Sequence, residues 1–210
     1  MAKTEPFEKY VDDYELWFEQ NKYVYKSEIK AIQSLINKQD EGVEIGVGSG
    51  LFASELGIEY GLEPAEAMRT LAEERGIETI SGVAEKLPYD DNSFDYALMV
   101  TTVCFLDDME KSFKEVKRII KSSGYFVVAF VDKSSNLGKK YQRFKVKNKF
   151  YKHATFYSTD QIQSVLIKTG FKIKRVIQTV FGDLDQIVHQ QNFEKGYGKG
   201  GFVAIKAVNS

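Results

Sequence analysis

The chain has one cysteine, Cys104, in 210 residues, which excludes an internal disulfide, and with only two histidines, His153 and His189, no Cys/His cluster has the spacing of a zinc site. No metal is expected, and a reducing compartment suits such a chain. An excess of one charge is also missing. Against 30 Asp and Glu stand 29 Lys and Arg, so the net charge of -1 gives no overall pull toward nucleic acid or a membrane surface, and any basic patch must be local. No apolar run approaches the ~18 residues that would span a bilayer. Met1 to Tyr10 is charged and lacks the apolar stretch of an export signal, so the expected location is the cytoplasm. There is no internal repeat and no low-complexity linker.

What is present is the composition of one globular domain of slightly above average size, 43% hydrophobic and 28% charged. Short apolar runs alternate with helical patterns, which predicts an α/β fold on a parallel sheet. Strands are expected at Val43–Val47, Ile58–Leu62, Glu78–Ser81, Phe94–Val100 and Tyr125–Val131. Pro64 is expected to open a helix that Gly76 stops near Arg75. Asp107 and Asp108 are N-cap candidates for a helix ending near Gly124, and Ser158 with Gln161 reads as the capping box of a helix reaching Thr169. Two late runs, Phe171–Val180 and Phe202–Val208, can pair as a hairpin across a loop of about twenty residues, a length that usually has a functional reason.

The sharpest feature is Val43-Glu44-Ile45-Gly46-Val47-Gly48-Ser49-Gly50, a glycine-rich turn at the tip of the first strand. Glycines let the backbone turn tightly and approach a ligand. No Gly-Lys-Ser/Thr follows, which argues against a nucleotide triphosphatase, and Leu51 stands where a nicotinamide-binding fold wants a third glycine. Glu44 lies two residues before the first glycine, where a carboxylate is unfavourable beside a pyrophosphate and favourable beside an ammonium group. Glu63, nineteen residues on, can accept both hydroxyls of a ribose, or can simply favour the helix N-terminus behind it.

These residues, followed by Gly61-Leu62-Glu63-Pro64 with Met68, Gly82-Val83-Ala84-Glu85-Lys86-Leu87-Pro88 and Phe94-Asp95-Tyr96-Ala97-Leu98, resemble the class I S-adenosylmethionine-dependent methyltransferases of the ubiquinone/menaquinone-biosynthesis type. The match covers roughly residues 40 to 131. It implies a Rossmann-like three-layer sandwich with a mostly parallel seven-stranded sheet and a C-terminal antiparallel hairpin strand. By the resemblance, the loop of Gly46, Val47, Gly48 and Gly50 underlies the methionine part of the cofactor, with Glu44 beside it. Glu63 and Pro64 then meet the ribose, Ala84 and Glu85 lie along the adenine edge, Met68 and Leu87 wall the adenine ring, and Thr101 faces the methionine end. Met68 reads equally well as core, and Glu85 as a solvated loop charge. The implied organisation is a single domain over 1–210: an N-terminal helical lid to residue 40, a cofactor-binding half over 41–131, and a substrate side beyond.

On the substrate side nothing announces a general base. His153 and His189 read as surface residues and Cys104 as a small buried hydrophobe. The aromatic run of Tyr10, Tyr14, Trp17, Phe18, Tyr23 and Tyr25 reads as a lid or as a helix packed on the sheet. Lys133 to Lys152 is basic, free of acidic residues and interleaved with Tyr141, Phe144, Phe150 and Tyr151, which would suit an RNA acceptor or a solvated helix whose lysines snorkel. Methyl transfer to a small molecule is the leading expectation, with RNA methylation or cofactor binding without turnover as alternatives. The acceptor and the oligomeric state are left open.

Overall fold

The computed structural model describes residues 4–209. Three helices come first: α1 (Glu5–Lys9), α2 (Val11–Gln20) and α3 (Lys22–Gln33). Then β1 (Gly42–Ile45), α4 (Leu51–Leu56), β2 (Tyr60–Leu62), α5 (Glu66–Glu74) and β3 (Glu78–Ile80) build one half of the sheet. The chain returns through β4 (Phe94–Val100), α6 (Met109–Ile119), β5 (Ile120–Val131), α7 (Asn136–Phe144) and α8 (Thr159–Lys168). It closes with β6 (Phe171–Thr179), β7 (Glu194–Lys195) and β8 (Phe202–Asn209).

The strands form one mixed sheet in the order β3-β2-β1-β4-β5-β8-β6-β7. Neighbours from β3 to β5 are parallel, and β8 inserts antiparallel between β5 and β6. The sheet is therefore a Rossmann-like, mostly parallel one, as the residues imply, with eight strands rather than seven. The extra strand is the two-residue β7, which pairs with Ile177 and Gln178 at the outer edge. Two residues are too short for an apolar pattern to mark them.

Both faces of the central strands are buried, which is why they read as continuous apolar runs. Along β4, Tyr96, Leu98 and Val100 face one core, shared with Ala31 and Ile32 of α3 and with Phe52 and Ala53 of α4. Ala97 and Met99 face the other, against Phe113 and Val116 of α6 and Ile162 and Leu166 of α8. Local chemistry sets the helix starts: Asp108, not Asp107, caps α6 through the Lys111 N–H at 2.9 Å, and Ser158 and Gln161 close the capping box of α8.

Several boundaries differ from expectation, among them the start of the second strand at Tyr60 instead of Ile58. The first strand ends at Ile45 because Gly46 turns the backbone to φ +74. Pro64 lies outside α5, whose cap is Ala65. The helix expected to reach Gly124 ends at Ile119, because Ile120 pairs with Phe94 and the strand begins without a loop. Among the described residues no helix is long and apolar enough to cross a membrane, and no group of three His, Cys, Asp or Glu is placed to hold a metal ion.

The order of the sheet places its crossover between β1 and β4: the chain leaves β1 toward β2 and comes back on the opposite side as β4. Ligands of open α/β sheets bind at such a point, beyond the carboxyl ends of the strands.

Candidate active site

Beyond the ends of β1, β2 and β4 lies a cavity of about 690 Å³. Its floor is the glycine-rich turn. Gly46 carries φ +74, and a Cβ there would sit 2.4 Å from Thr102 Cγ2, so only glycine lets Thr102 hydrogen-bond the Gly46 carbonyl at 3.2 Å. Gly48 carries φ +55 beneath the hydroxyl of Tyr14. The Gly48 N–H donates to Glu63 Oε2 at 3.1 Å, and the Ala65 N–H donates to Glu63 Oε1 at 2.9 Å. Both oxygens keep lone pairs for a ligand. Burial pushes the Glu63 carboxyl up to about 6, against those two amides and Arg69.

Alternation in the turn divides its residues. Gly46 and Gly48 are partly open to the cavity, while Glu44, Val47 and Gly50 are buried under it. Glu44 is 1% exposed, and its Oε2 has no hydrogen-bond partner among the described residues. Burial drives its carboxyl well above the usual range, only partly offset by the Ala53 N–H, with the charge of Glu63 adding to the rise. An orphaned acceptor here, next to bare glycine backbone and a second carboxylate, fits a cationic aminoacyl nucleoside and not a phosphate.

The roof comes from the N-terminal helices. Both carboxylate oxygens of Glu8 cap the start of α5, accepting the N–H groups of Glu66 at 2.7 Å and Ala67 at 2.9 Å. Glu15 of α2 accepts the hydroxyl of Ser49 and pairs with Arg75, whose other arm donates to the Ser49 carbonyl at 2.6 Å. Tyr14 is half-buried, and its hydroxyl is pushed far up by desolvation and then by the charges of Glu44 and Glu63. The far wall is built by the segment after β5. Tyr141 of α7 stacks on Tyr151 at 5.2 Å between ring centres, Phe150 meets Phe7 at 5.6 Å, and Lys149 pairs with Asp13.

At the end of β4, Thr101 holds φ +50, strained for a β-branched residue, with its N–H fixed on the Ala129 carbonyl at 2.8 Å. Glu85 accepts the N–H groups of Asp107 and Asp108 at 2.9 and 3.1 Å, which joins the loop after β3 to the start of α6.

A methyltransferase domain model matches residues 43–128. A solved structure from Thermotoga maritima is 43% identical and covers 99% of this chain and 100% of its own, with a TM-score of 0.96. It is described as a SAM-dependent methyltransferase, possible histamine N-methyltransferase. The chain belongs to the S-adenosylmethionine-dependent methyltransferases. An uncharacterised protein of Methanocaldococcus jannaschii is 41% identical over 96% of this chain and 97% of its own length. A ubiquinone/menaquinone biosynthesis C-methyltransferase of Rickettsia akari is 31% identical over 58% of this chain, and the match spans 49% of that relative.

Of the residues singled out in this methyltransferase from sequence, Gly46, Gly48, Glu63, Pro64, Ala84, Glu85 and Thr101 line the cavity. Glu44, Val47, Gly50, Met68 and Leu87 do not; Met68 and Leu87 are 0% and 3% exposed and pack in the core behind it. His153 and His189 are exposed away from the cavity, and Cys104 is buried with its thiol on the Thr101 carbonyl at 3.1 Å. Glu8, Glu15 and Arg75 escaped sequence reasoning, since they act through partners up to 60 residues away. Glu28 escaped it too, although a signal existed: it interrupts the apolar stripe of Val24, Ile32 and Leu35 at helical spacing.

Proposed function

We propose that this methyltransferase moves a methyl group from S-adenosylmethionine to a small-molecule acceptor held in the cavity, releasing S-adenosylhomocysteine. The observation that carries the reading is Glu63: a buried carboxylate, fixed by the Gly48 and Ala65 amides at the tip of β2, with lone pairs turned to the cavity. Bound there, S-adenosylmethionine supplies a methyl carbon on a sulfonium, to which the acceptor's lone pair forms the new bond while the C–S electron pair goes to sulfur.

Glu63 accepts the ribose hydroxyls. The Gly46–Gly50 backbone lies under the methionine part, with Glu44 beneath it, a buried acid that an ammonium group above it would favour in its ionised form. Ala84 and Glu85 border the adenine. Its apolar walls are Pro64, Val83 and Leu106, which face the cavity where Met68 and Leu87 do not. Thr101 and Thr102 border the methionine end. Residues 1–40 serve as the lid, 41–131 as the cofactor half and 132–210 as the acceptor side of one domain. Exclusion of water and alignment of the reactants are what the chain contributes, and methyl transfer to a neutral nucleophile needs no protein base.

A small acceptor is favoured over RNA because three of the four aromatics of the basic segment turn inward, Phe144 alone being exposed. Tyr141, Phe150 and Tyr151 line the cavity, Tyr141 packing on Tyr151 and Phe150 on Phe7, while Lys133, Lys139, Lys140 and Lys152 point to solvent away from it. For the Thermotoga maritima relative, histamine is the suggested acceptor. A nitrogen nucleophile suits this chain equally, since neither histidine reaches the site. Calorimetry with S-adenosylhomocysteine tests the assignment. Glu63→Gln should weaken affinity by about tenfold or more, the worth of a charge-assisted pair of hydrogen bonds. Unchanged affinity sinks it.

A further inference from the structure

Glu28 sits on the buried face of α3, 5% exposed, and its carboxylate lines the cavity. Among the described residues no hydrogen bond and no ion pair reaches it. Its neighbours are satisfied: Ser27 Oγ donates to the Tyr23 carbonyl at 2.6 Å and accepts the Gln191 N–H at 2.8 Å. Gln190 donates to the Lys26 carbonyl at 2.9 Å, so the loop between β6 and β8 braces the helix on its outer side. Glu28 is thus a fixed, unpaired acid on a rigid support, and burial alone pushes its carboxyl up to about 8.

Its place is away from Glu63. The buried hydroxyls of Tyr141 and Tyr151 are pushed up first by desolvation and then, among other charges, by that of Glu28. With Leu137 and Val131 these rings form the wall beyond β5, whereas Glu63, Gly46 and Gly48 stand beyond β1 and β2. The two lysines in the cavity wall, Lys147 and Lys149, are exposed at its rim, and Lys149 is engaged by Asp13 and the Tyr10 ring. Among the described residues no buried cation answers Glu28.

A carboxyl in such a place costs free energy if it ionises alone and recovers it when a cation enters. A carboxylate or phosphate acceptor would meet Glu28, Glu63 and Glu85 with like charge. An uncharged alcohol or phenol would leave the acid unused. An ammonium group would find a counter-ion and, in the surrounding tyrosines, ring faces that favour cations.

We infer that Glu28 anchors the methyl acceptor, and that the acceptor is an organic amine with an apolar or aromatic body, bound through its ammonium group. A second, neutral nucleophile of the same molecule, such as an imidazole nitrogen, forms the bond to the methyl carbon and releases its proton to solvent. An amine without a second nucleophile serves only as a binding probe. The inference rests on the cavity's being the methyl-transfer site. The test is calorimetry on the full chain saturated with S-adenosylhomocysteine, using 2-phenylethylamine and histamine beside two isosteres that lack the amine, 2-phenylethanol and phenylacetate. The amines should bind and the isosteres should bind at least about tenfold more weakly. Glu28→Gln should remove that preference, while its affinity for S-adenosylhomocysteine stays at the level of the unsubstituted protein. Equal binding of amine and alcohol by the unsubstituted protein overturns the inference, and that comparison needs no variant to fold. Retained amine preference in Glu28→Gln overturns it as well, and so does a loss of S-adenosylhomocysteine affinity in that variant, which would assign Glu28 to the cofactor. Failure of the unsubstituted protein to bind S-adenosylhomocysteine would instead strike the proposed function itself.

Discussion

Glu15 and Arg75 form an ion pair that ties α2 to the end of α5, and the same carboxylate takes the hydroxyl of Ser49 in the glycine-rich turn. One side chain of the N-terminal segment thereby holds the turn on which the cofactor is proposed to lie. The pair is only partly buried, 28% and 24% exposed, so its own worth is modest, yet it fixes the turn's geometry.

Glu15→Ala should therefore cost affinity for S-adenosylhomocysteine more than it costs stability. A three- to tenfold loss is expected, roughly 0.7–1.4 kcal/mol, from calorimetry. Limited trypsin digestion gives an independent readout. Lys9 and Lys22 flank α2, and cofactor product should slow cleavage there in the unsubstituted protein but much less in the variant. Equal protection in both would separate α2 from the cofactor.

The buried acids set a pH dependence. Glu63 rises from 4.5 to about 6 on folding, and Glu28 from 4.5 to about 8, both chiefly through burial. A carboxyl whose folded value is raised contributes stability below its unfolded value and loses it as pH climbs through the folded one. The ligand-free protein should lose stability between pH 4.5 and 8, by about 2 kcal/mol through Glu63 alone. The paired carboxylates of Asp95, Glu110 and Glu115 are shifted downward, so they finish titrating below that window. Ionised Glu63 is the better acceptor of ribose hydroxyls, so affinity for S-adenosylhomocysteine should rise through pH 6. A melting temperature that climbs from pH 5 to 8 without ligand would contradict the first statement. Affinity that is flat across pH 6 would contradict the second.

Much of this was legible in the sequence because local chemistry decides it. The glycine turn, the tip-of-strand carboxylates, the capping box of α8 and the apolar strands each depend on residues within one element. What was not legible depends on residues brought from afar. Met68 and Leu87 are apolar at plausible positions, and only the packing shows them turned to the core and not to the cavity. Ile119 and Ile120 belong to one apolar pattern, and pairing with Phe94 is what changes helix to strand between them. The long loop after β6 has no pattern of its own, because its order comes from amide side chains such as those of Gln190 and Gln191 meeting α3 and the loop's own backbone.

Asp132 links the sheet to the segment proposed as the acceptor side. It is 2% exposed at the point where β5 gives way to the basic segment, and its carboxylate accepts the Ser134 N–H at 2.7 Å and the Thr159 hydroxyl at 2.5 Å. Asp132→Ala leaves both donors unmet and should destabilise the fold by about 2–3 kcal/mol in a denaturant titration. Because α7 starts here, acceptor binding should weaken more than S-adenosylhomocysteine binding. Equal weakening of the two would place the acceptor elsewhere.

Gly46 offers the sharpest test of the turn. Its φ of +74 disfavours any side chain, and a Cβ would press on Thr102 at 2.4 Å from Cγ2 and 2.5 Å from Oγ1. Gly46→Ala should cost about 2–4 kcal/mol, combining backbone strain with overpacking, and should abolish detectable S-adenosylhomocysteine binding. Adding Thr102→Ala removes both colliding atoms but leaves the strain. The double variant should therefore regain part of the stability, on the order of 1–2 kcal/mol, and measurable affinity. If the two substitutions are additive in a thermal melt, the Gly46–Thr102 approach does not shape the turn, and the glycine is required only for its dihedral angle.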